Sequence, residues 1–237
     1  MKTKLTEKVK KISTEYKFGD FFRNFIAVML GIIITFAGSD WIAERNAQKE
    51  VKESMLLVKS ELQTNREDIA SIKGLVELEQ KGALYLLEYK GRIQEADPDS
   101  LQKYNRLPFQ SFSFNAMYDA LEMLKASGLI PKIKNKELTV QILTAYAIVR
   151  NSQSAFEAYS NIKQRCLDEL TRVPDVKKKM SSIDYIDWDF YFKYPEGVAL
   201  IQQIPQIQST DIYQNHLEAI DKVIAAIDEE YNHGICH

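Results

Sequence analysis

Apolar residues follow two patterns along this chain, and the first is a continuous run near the N-terminus. No charged residue occurs between Arg23 and Asp40, and most of the residues between them are apolar. With the flanking aromatic residues included, the run covers residues 21–43. This length is close to the ~20 residues that a helix needs to cross the hydrocarbon layer of a bilayer. The pattern therefore predicts a transmembrane helix.

The ends and one face of this helix carry further signals. Arg23 precedes the run and Trp41 follows it, so both ends have a side chain suited to a membrane interface. Within the run, small residues recur at every fourth position, which places them on one helical face: Ala27, Gly31, Thr35 and Ser39. Such a stripe favours close helix–helix packing, although small residues are common in membrane helices in any case.

Two other interpretations of the run remain open. A cleaved signal peptide also combines a basic start with a short apolar segment, and residues 35–37 resemble a cleavage site. The long basic segment and the unbroken helical pattern count against cleavage. A buried helix of a soluble core is the second interpretation, but it leaves the basic flank unexplained.

The second pattern begins after the run and has the spacing of a heptad repeat. Apolar residues alternate at intervals of four and three, with polar interruptions at Asn65 and Glu79. We predict a long stalk helix over residues 44–96 with one apolar seam. Asn65 is a candidate for setting register in a coiled coil. However, the additional leucines that widen the stripe favour packing of the seam against later helices of the same chain.

The remainder of the chain is also predicted to form helices separated by short breaks. A helix is predicted from Ser113 or Asn115 to Ser127, and a long helix is predicted to start after Asn135 and to end before Pro174. The last helix should run from about Asp211 to Tyr231. The predicted fold class is therefore all-α, with a basic arm (1–20), a transmembrane helix (21–43), the stalk and a helical domain that packs on the stalk (97–237).

Charge distribution predicts the direction of the span. The net charge of the whole chain is −2, but the first 24 residues have a balance of +4 and the remaining residues one of −6. Basic residues are enriched on the cytoplasmic side of membrane helices. We expect a cytoplasmic N-terminus, a periplasmic helical domain and a location in a bacterial inner membrane. The short tethered arm favours contact with anionic lipid over nucleic acid.

Two stretches together resemble a family of single-pass membrane proteins of unknown function that is common in Bacteroidetes. The first is residues 25–45, with Gly31-Ile32 inside the span and Trp41-Ile-Ala-Glu-Arg45 at its exit. The second comprises Phe114-Asn-Ala-Met-Tyr-Asp-Ala-Leu121, Ser127-Gly128 and Ile133-Lys-Asn-Lys-Glu-Leu138. The resemblance implies a membrane-anchored helical protein, and it carries no activity with it.

Few residues are candidates for a specific site. Cys166 and Cys236, the two cysteines, form a disulfide or else remain a core thiol and a tail thiol. A stretch rich in carboxylates and aromatic rings is a candidate partner surface, or else an irregular segment that covers the end of a bundle; its members are Asp184, Tyr185, Asp187, Trp188 and Asp189. The histidines and cysteine of residues 233–237 are interpreted as incidental, as is His216.

The chain has no phosphate-binding glycine loop, no G-x-S-x-G, no H-E-x-x-H and no C-x-x-C motif. We therefore predict no catalytic, cofactor-binding or metal-binding residues. The predicted function is that of a membrane-anchored, non-enzymatic interaction or scaffold protein with a protein partner or a second copy of itself. The alternative is an extracytoplasmic domain that senses a ligand and signals through a partner.

Overall fold

The computed structural model describes residues 3–180 and 186–231, and the side chains of residues 20–179 and 186–231. Within these ranges the chain is all-α and contains no strand, as predicted. The helices are α1 (Thr3–Glu88), α2 (Pro98–Tyr104), α3 (Asp119–Ala126), α4 (Lys136–Thr171), α5 (Pro174–Met180), α6 (Trp188–Tyr191), α7 (Pro195–Gln203) and α8 (Asp211–Tyr231). Short 3₁₀ turns occupy Ile93–Glu95, Leu107–Phe109, Ile130–Lys132 and Ile204–Gln206.

The chain divides into two units, Met1–Lys52 and Glu53–His237. In the first unit, the described part is the N-terminal portion of α1, whose side chains are exposed through the apolar run. The second unit contains the rest of α1 and all the later helices, and it is built around a core of its own.

The heptad seam predicted in α1 forms one wall of this core. Within the second unit, every seam position from Met55 to Leu86 is buried, including the polar residues Asn65 and Glu79. A seam that is buried by its own chain is not available for a coiled coil with a second copy. The intramolecular packing that the wide apolar stripe favoured is therefore confirmed within the second unit.

Side-chain contacts define how the three long helices of the second unit are arranged. Glu61 and Glu79 of α1 contact α4 at Tyr146 and Lys163, in the same order along both helices, so α1 and α4 run parallel. Lys59 and Arg66 of α1 contact α8 in the opposite order, at Asp228 and Asp221. Helix α8 is thus antiparallel to the other two. Because α1 and α4 are parallel, the chain must return along the bundle before α4 begins. Residues 89–135, which include α2 and α3, form this long connection.

The carboxyl ends of α1 and α4 meet in a second apolar cluster. Trp188 of α6 lies at its centre with no exposed surface, and its indole Nε1 donates a hydrogen bond to the carbonyl oxygen of Asn105 at 3.1 Å. The ring of Phe109 stacks against Trp188 at 5.3 Å between centroids. Residues of α5 and α7 complete this cluster, which closes one end of the bundle.

Several boundaries differ from the predicted ones. Helix α1 ends at Glu88 rather than at residue 96, because the chain turns at Gly91, whose φ is +80°, a conformation that favours glycine. Helix α3 begins at Asp119, and neither Ser113 nor Asn115 caps it. The predicted cap of α4 is confirmed, since the side chain of Asn135 accepts a hydrogen bond from the backbone N–H of Leu138 at 2.9 Å.

Gly197 of α7 provides a test of packing at the closed end. A Cβ at this position would overlap the carbonyl oxygen of Tyr191 and lie 2.9 Å from its carbonyl carbon. We expect Gly197→Ala to lower the free energy of unfolding by about 1–3 kcal/mol, as overpacking does elsewhere. Thermal unfolding of the full chain in detergent, followed by circular dichroism, measures the change.

The matched control is Gly74→Ala in α1, where no atom lies within 4 Å of an added Cβ. There the substitution should raise the free energy of unfolding by about 0.5–1 kcal/mol, because alanine is the better helix former. Equal effects at the two positions would contradict the close approach of α7 to Tyr191.

Candidate functional site

The apolar run forms part of α1, and its large side chains are exposed on every side of the helix. Exposed fractions range from 42% at Ile26 to 69% at Ile34. Within the described residues, this is the one helix that is long and apolar enough to cross a membrane, and the apolar window is not buried at all. A core helix would be largely buried, so the exposure of the apolar run does not fit its interpretation as a buried helix of a soluble core.

The predicted interfacial residues and the small-residue stripe are all exposed. Arg23 forms an exposed ion pair with Asp20 at 3.3 Å, and the guanidinium of Arg45 lies 5.5 Å from the centroid of the Trp41 ring. On the stripe, the hydroxyl of Thr35 donates a hydrogen bond to the carbonyl oxygen of Gly31 at 2.7 Å. The polar group of Thr35 is therefore satisfied within its own helix, as a lipid environment requires.

In the second unit, two polar side chains of α1 hold the backbone of the connection between α2 and α4. Asn65 is fully buried; its Nδ2 donates to the carbonyl oxygen of Met117 and its Oδ1 accepts from the N–H of Met117, both at 2.8 Å. Glu61 accepts hydrogen bonds from the N–H of Ala120 at 2.8 Å and from the hydroxyl of Tyr146. Asn65 thus sets the register of an intramolecular segment rather than of a coiled coil.

A third polar position of α1, Glu79, lies in a buried ionic cluster. Its carboxylate accepts hydrogen bonds from Lys163 Nζ and, at 2.7 Å, from the hydroxyl of Tyr159. The side chains of Glu79 and Lys163 are 2% and 6% exposed. Desolvation raises the pKa of Glu79 above its ordinary value, against the opposing effect of the Lys163 ammonium. Lys163 also donates to the carbonyl oxygen of Gln110, so every part of this cluster has a structural partner.

These contacts define a strap, residues 110–118, which has no regular secondary structure and lies along α1. Between Glu61 and Glu79 the helix rises by about 27 Å. The chain from Gln110 to Ala120 reaches at most about 33–36 Å when fully extended, which is enough to cover this length. Three cavities of about 200, 360 and 520 Å³ border it. The strap is held by polar contacts to its backbone at Gln110 and Met117, and the side chain of Phe114 is buried in the core.

The acidic and aromatic stretch lies at the closed end of the bundle. Trp188 is buried, so its assignment to a partner surface is wrong; the ring is needed for the apolar cluster. Asp187 caps α6 by accepting from the N–H of Phe190 at 3.2 Å and pairs with Lys179 at 2.9 Å. Desolvation alone would raise the pKa of Asp187, but the Lys179 ammonium and the Phe190 N–H hold it below its ordinary value. Asp184 and Tyr185 lie outside the described residues.

Asp189, the remaining member, lines a cavity of about 600 Å³ between the 93–106 segment and the start of α6. Within the described part of the chain, its Oδ1 is buried and has no hydrogen-bond donor. Asn105 lines the same cavity, and its Oδ1 is likewise buried without a donor. The volume lies in the range of small-molecule sites. The sequence marked Asp189 as unusual but contained no signal for Asn105.

The predicted disulfide involves Cys236, which lies outside the described residues, as do His233 and His237. Cys166 is partly buried at the edge of the second apolar cluster. Burial, together with nearby Glu169, raises the pKa of the Cys166 thiol, which disfavours the reactive thiolate. In the described ranges, no group of three or more His, Cys, Asp or Glu side chains is placed to hold a metal ion.

His216 of α8 makes a partly buried contact with α4, and this contact leads us to expect a pH dependence of stability. Its Nδ1 lies 2.7 Å from Ser152 Oγ, and desolvation lowers the pKa of the imidazole. The unfolded chain therefore binds a proton at a higher pH than the folded chain does, so stability decreases as the pH falls below about 6.5. The loss between pH 7.5 and 5.5 should be smaller in His216→Gln, as measured by thermal unfolding at each pH.

The comparison of wild type with His216→Gln isolates one imidazole, because the two proteins share every other titratable group, including Glu79, whose raised pKa acts in the opposite direction. An equal loss of stability in both proteins over this pH range would contradict the lowered pKa of His216.

No known family model, curated protein or solved structure matches the chain. The resemblance to the Bacteroidetes family therefore stays a prediction. What the fold itself defines is a class: an all-α protein with a helical bundle and one exposed apolar helix that is a candidate membrane span.

Proposed function

We propose that this chain is a membrane-anchored interaction or scaffold protein, held by a single helix over residues 21–43. The observation that carries the proposal is the exposure of large apolar side chains around the whole circumference of this segment. In water such a surface is strongly unfavourable, whereas in lipid tails it is favourable. Arg23 and Trp41 suit the two interfaces of such a span.

The proposed direction is a cytoplasmic N-terminus, with the second unit on the periplasmic side of a bacterial inner membrane. Seven Lys and Arg residues occur within the first 24 residues, whereas the stretch just after the span has only Arg45, Lys49, Lys52 and Lys59. Basic residues near a span set its orientation, and acidic residues contribute little. The basic arm would lie along the anionic inner leaflet.

A non-catalytic role is supported by how the buried polar groups are used. Glu61, Asn65, Glu79 and Lys163 are buried, and each is hydrogen-bonded to the backbone or to a side chain of a neighbouring element. The second unit also presents exposed apolar side chains of the kind that protein interfaces use, at Met117, Met123, Val140 and Leu143. A protein partner or a second copy of the chain would cover them.

Labelling of single cysteines in intact spheroplasts tests the anchor and its direction. In a chain lacking both native cysteines, Gln202→Cys reports on the second unit and Thr6→Cys on the arm. We expect a membrane-impermeant maleimide to label position 202 in intact spheroplasts and position 6 only after lysis. The reverse pattern contradicts the direction, and recovery of the chain in the soluble fraction contradicts the anchor.

Site-specific photo-crosslinking in the native membrane tests the interaction role. A photoreactive residue at Met123 or Val140 should give a discrete adduct with the partner, because both side chains are exposed, at 60% and 63%. The control position is Glu67, an exposed polar site on α1. Adducts at all three positions, or at none, would contradict an interface at the apolar positions.

A second candidate function, the sensing of an extracytoplasmic ligand, is favoured by one observation. The cavity beside Asp189 is large enough for a small molecule, and its lining residues Asn105 and Asp189 each have a buried oxygen that lacks a donor. This possibility differs from the scaffold role in requiring a specific ligand.

A further inference from the structure

The strap presents a row of backbone groups that lack hydrogen-bond partners. Residues 110–118 contain no helix, turn or bend, so this segment is extended. Among the described residues, no backbone or side-chain group forms a hydrogen bond with the backbone N–H and C=O groups of residues 111–116. Unpaired N–H and C=O groups along an extended segment are a template for pairing with another extended chain.

The two attachments of the strap show which way these groups point. Met117 directs both its N–H and its C=O to Asn65 of α1, whereas the C=O of Gln110 accepts a hydrogen bond from Lys163 of α4. Successive residues of an extended chain direct their backbone groups to opposite edges, and these two residues are an odd number of positions apart. Three further residues alternate in step with Met117: Ser111, Ser113 and Asn115. Their N–H and C=O groups therefore face α1.

A cavity of about 520 Å³ lies where these backbone groups point, and we call it the strap groove. It is lined by residues 111–115 of the strap and, on α1, by Asp68, Ser71, Ile72 and Leu75. Ile72 is buried and Leu75 is half-buried, so α1 contributes an apolar floor. An extended peptide matches both parts of this groove. Its backbone pairs with the strap, and alternate side chains reach the floor.

The charge of the strap groove favours a basic peptide. Of the described residues that line the groove, Asp68 alone is charged, and no ion pair involves Asp68 in the part of the chain that the structure describes. The basic residues on either side of it along α1, Arg66 and Lys73, pair instead with Asp221 and Glu77. A lysine or arginine of a bound peptide would therefore meet a carboxylate that has no other cationic partner.

We propose that the strap groove binds an extended, basic segment of a protein partner. The segment pairs its backbone with the strap at Ser111, Ser113 and Asn115 and places a lysine or arginine beside Asp68. Because the strap is already attached at both ends, little further ordering of this chain is needed on binding. The inference rests on the interaction role proposed above and gives that role a kind of partner.

Binding of a synthetic peptide to the full chain in detergent tests this proposal. The probe is the amidated hexapeptide Lys-Thr-Val-Thr-Val-Thr with a fluorescent dye on its N-terminus. Its two valines alternate with threonines, so the valines reach Ile72 and Leu75 while the threonines face water. We expect a saturable rise in fluorescence anisotropy when the chain is added, and no rise with detergent alone.

Two N-methylated forms of the peptide separate backbone pairing from side-chain contact, because they keep every side chain. One carries N-methyl groups on both valines, and the other carries them on the second and third threonines. Alternate N–H groups point to opposite edges, so only one of the two sets faces the strap. That form loses two hydrogen bonds and should bind at least about tenfold more weakly. The other form should bind like the unmodified peptide.

A variant of the chain tests the role of the carboxylate. Asp68→Asn should weaken binding of the lysine peptide about two- to fivefold, as expected for a partly exposed ion pair. The same variant should not affect a peptide that has norleucine in place of lysine. The matched control is Glu67→Gln, which removes an exposed carboxylate that does not line the groove and should leave binding unchanged. Circular dichroism verifies that both variants are folded.

Three results would overturn the proposal. No saturable binding of the unmodified peptide indicates that the groove holds only water. Equal effects of the two N-methylations, whether both forms bind or neither does, contradict pairing at one edge. Unchanged affinity in folded Asp68→Asn contradicts the preference for a basic segment. The peptide comparisons use the unaltered chain, so they do not depend on the folding of a variant.

The peptide assay and the tests of the proposed function fail separately. Peptide binding is measured in detergent and does not involve the exposed apolar positions Met123 and Val140. A chain that forms adducts there but binds no peptide retains the interaction role and loses the strap groove. A chain that binds the peptide but is recovered in the soluble fraction retains the groove and loses the membrane anchor.

Discussion

Replacing Lys163 with methionine should lower the free energy of unfolding by about 3–5 kcal/mol, the cost of leaving one member of a buried ion pair alone. The substitution removes the ammonium group that neutralises Glu79 and also donates to the carbonyl oxygen of Gln110. The strap thereby loses one of its attachments to the bundle. Thermal or denaturant unfolding of the full chain in detergent measures the difference.

Two comparisons separate the buried charge from the general loss of a lysine. Glu79→Gln combined with Lys163→Met removes the unpaired charge and keeps an acceptor for Tyr159, so the double variant should be more stable than Lys163→Met alone. Lys59→Met breaks a more exposed ion pair with Asp228 and should cost at most about 1 kcal/mol. Similar losses in Lys163→Met and Lys59→Met would contradict the buried cluster.

The pH dependence of Lys163→Met provides a further check. Without the ammonium group, only the hydrogen bond from Tyr159 opposes the desolvation of Glu79, so the pKa of this carboxyl rises further. The folded variant then holds a proton that the unfolded chain releases, so the variant loses stability as the pH rises. Its deficit relative to wild type should therefore be smaller under acidic conditions than at pH 7.

Placing two carboxylates in the middle of the apolar run, as Ile32→Asp with Ile33→Asp, should release the chain from the membrane. Each aspartate at the centre of a membrane helix costs about 2.5–3.5 kcal/mol, so the pair opposes insertion by about 5–7 kcal/mol. Both isoleucines are exposed, at 47% and 56%, so the substitution leaves no cavity in a core. Sodium carbonate extraction of cell membranes, followed by immunoblotting, measures the distribution.

The matched control places the same two charges at the predicted exit of the span, as Ala43→Asp with Asn46→Asp. There the side chains reach water, and acidic residues have little effect on orientation. This control should remain in the membrane fraction. Retention of the Ile32→Asp, Ile33→Asp chain after carbonate extraction would contradict the span, and a shortened mass of the wild-type chain would favour signal-peptide cleavage instead.

The α-helical class and several helix ends could be predicted because they depend on local rules. The burial of the α1 seam follows from heptad spacing, the start of α4 from the capping side chain of Asn135, and its end from the approach of Pro174. The end of α1 was predicted too late because several turn signals compete there, and only the φ of Gly91 shows where the chain turns. The strap was missed because an extended segment held by distant side chains has no period of its own.

The sequence alone determined the apolar run, the asymmetry of charge around it and the residues of α1 that face inward, since each depends on spacing or composition within one segment. The tertiary structure decided what the polar residues of that inward face are for. Asn65 and Glu79 interrupt the seam in the sequence, and their partners Met117, Tyr159 and Lys163 come from segments far along the chain. The structure likewise brought Asn105 and Asp189 to one cavity. Such contacts depend on how helices pack, and local periodicity contains no information about them.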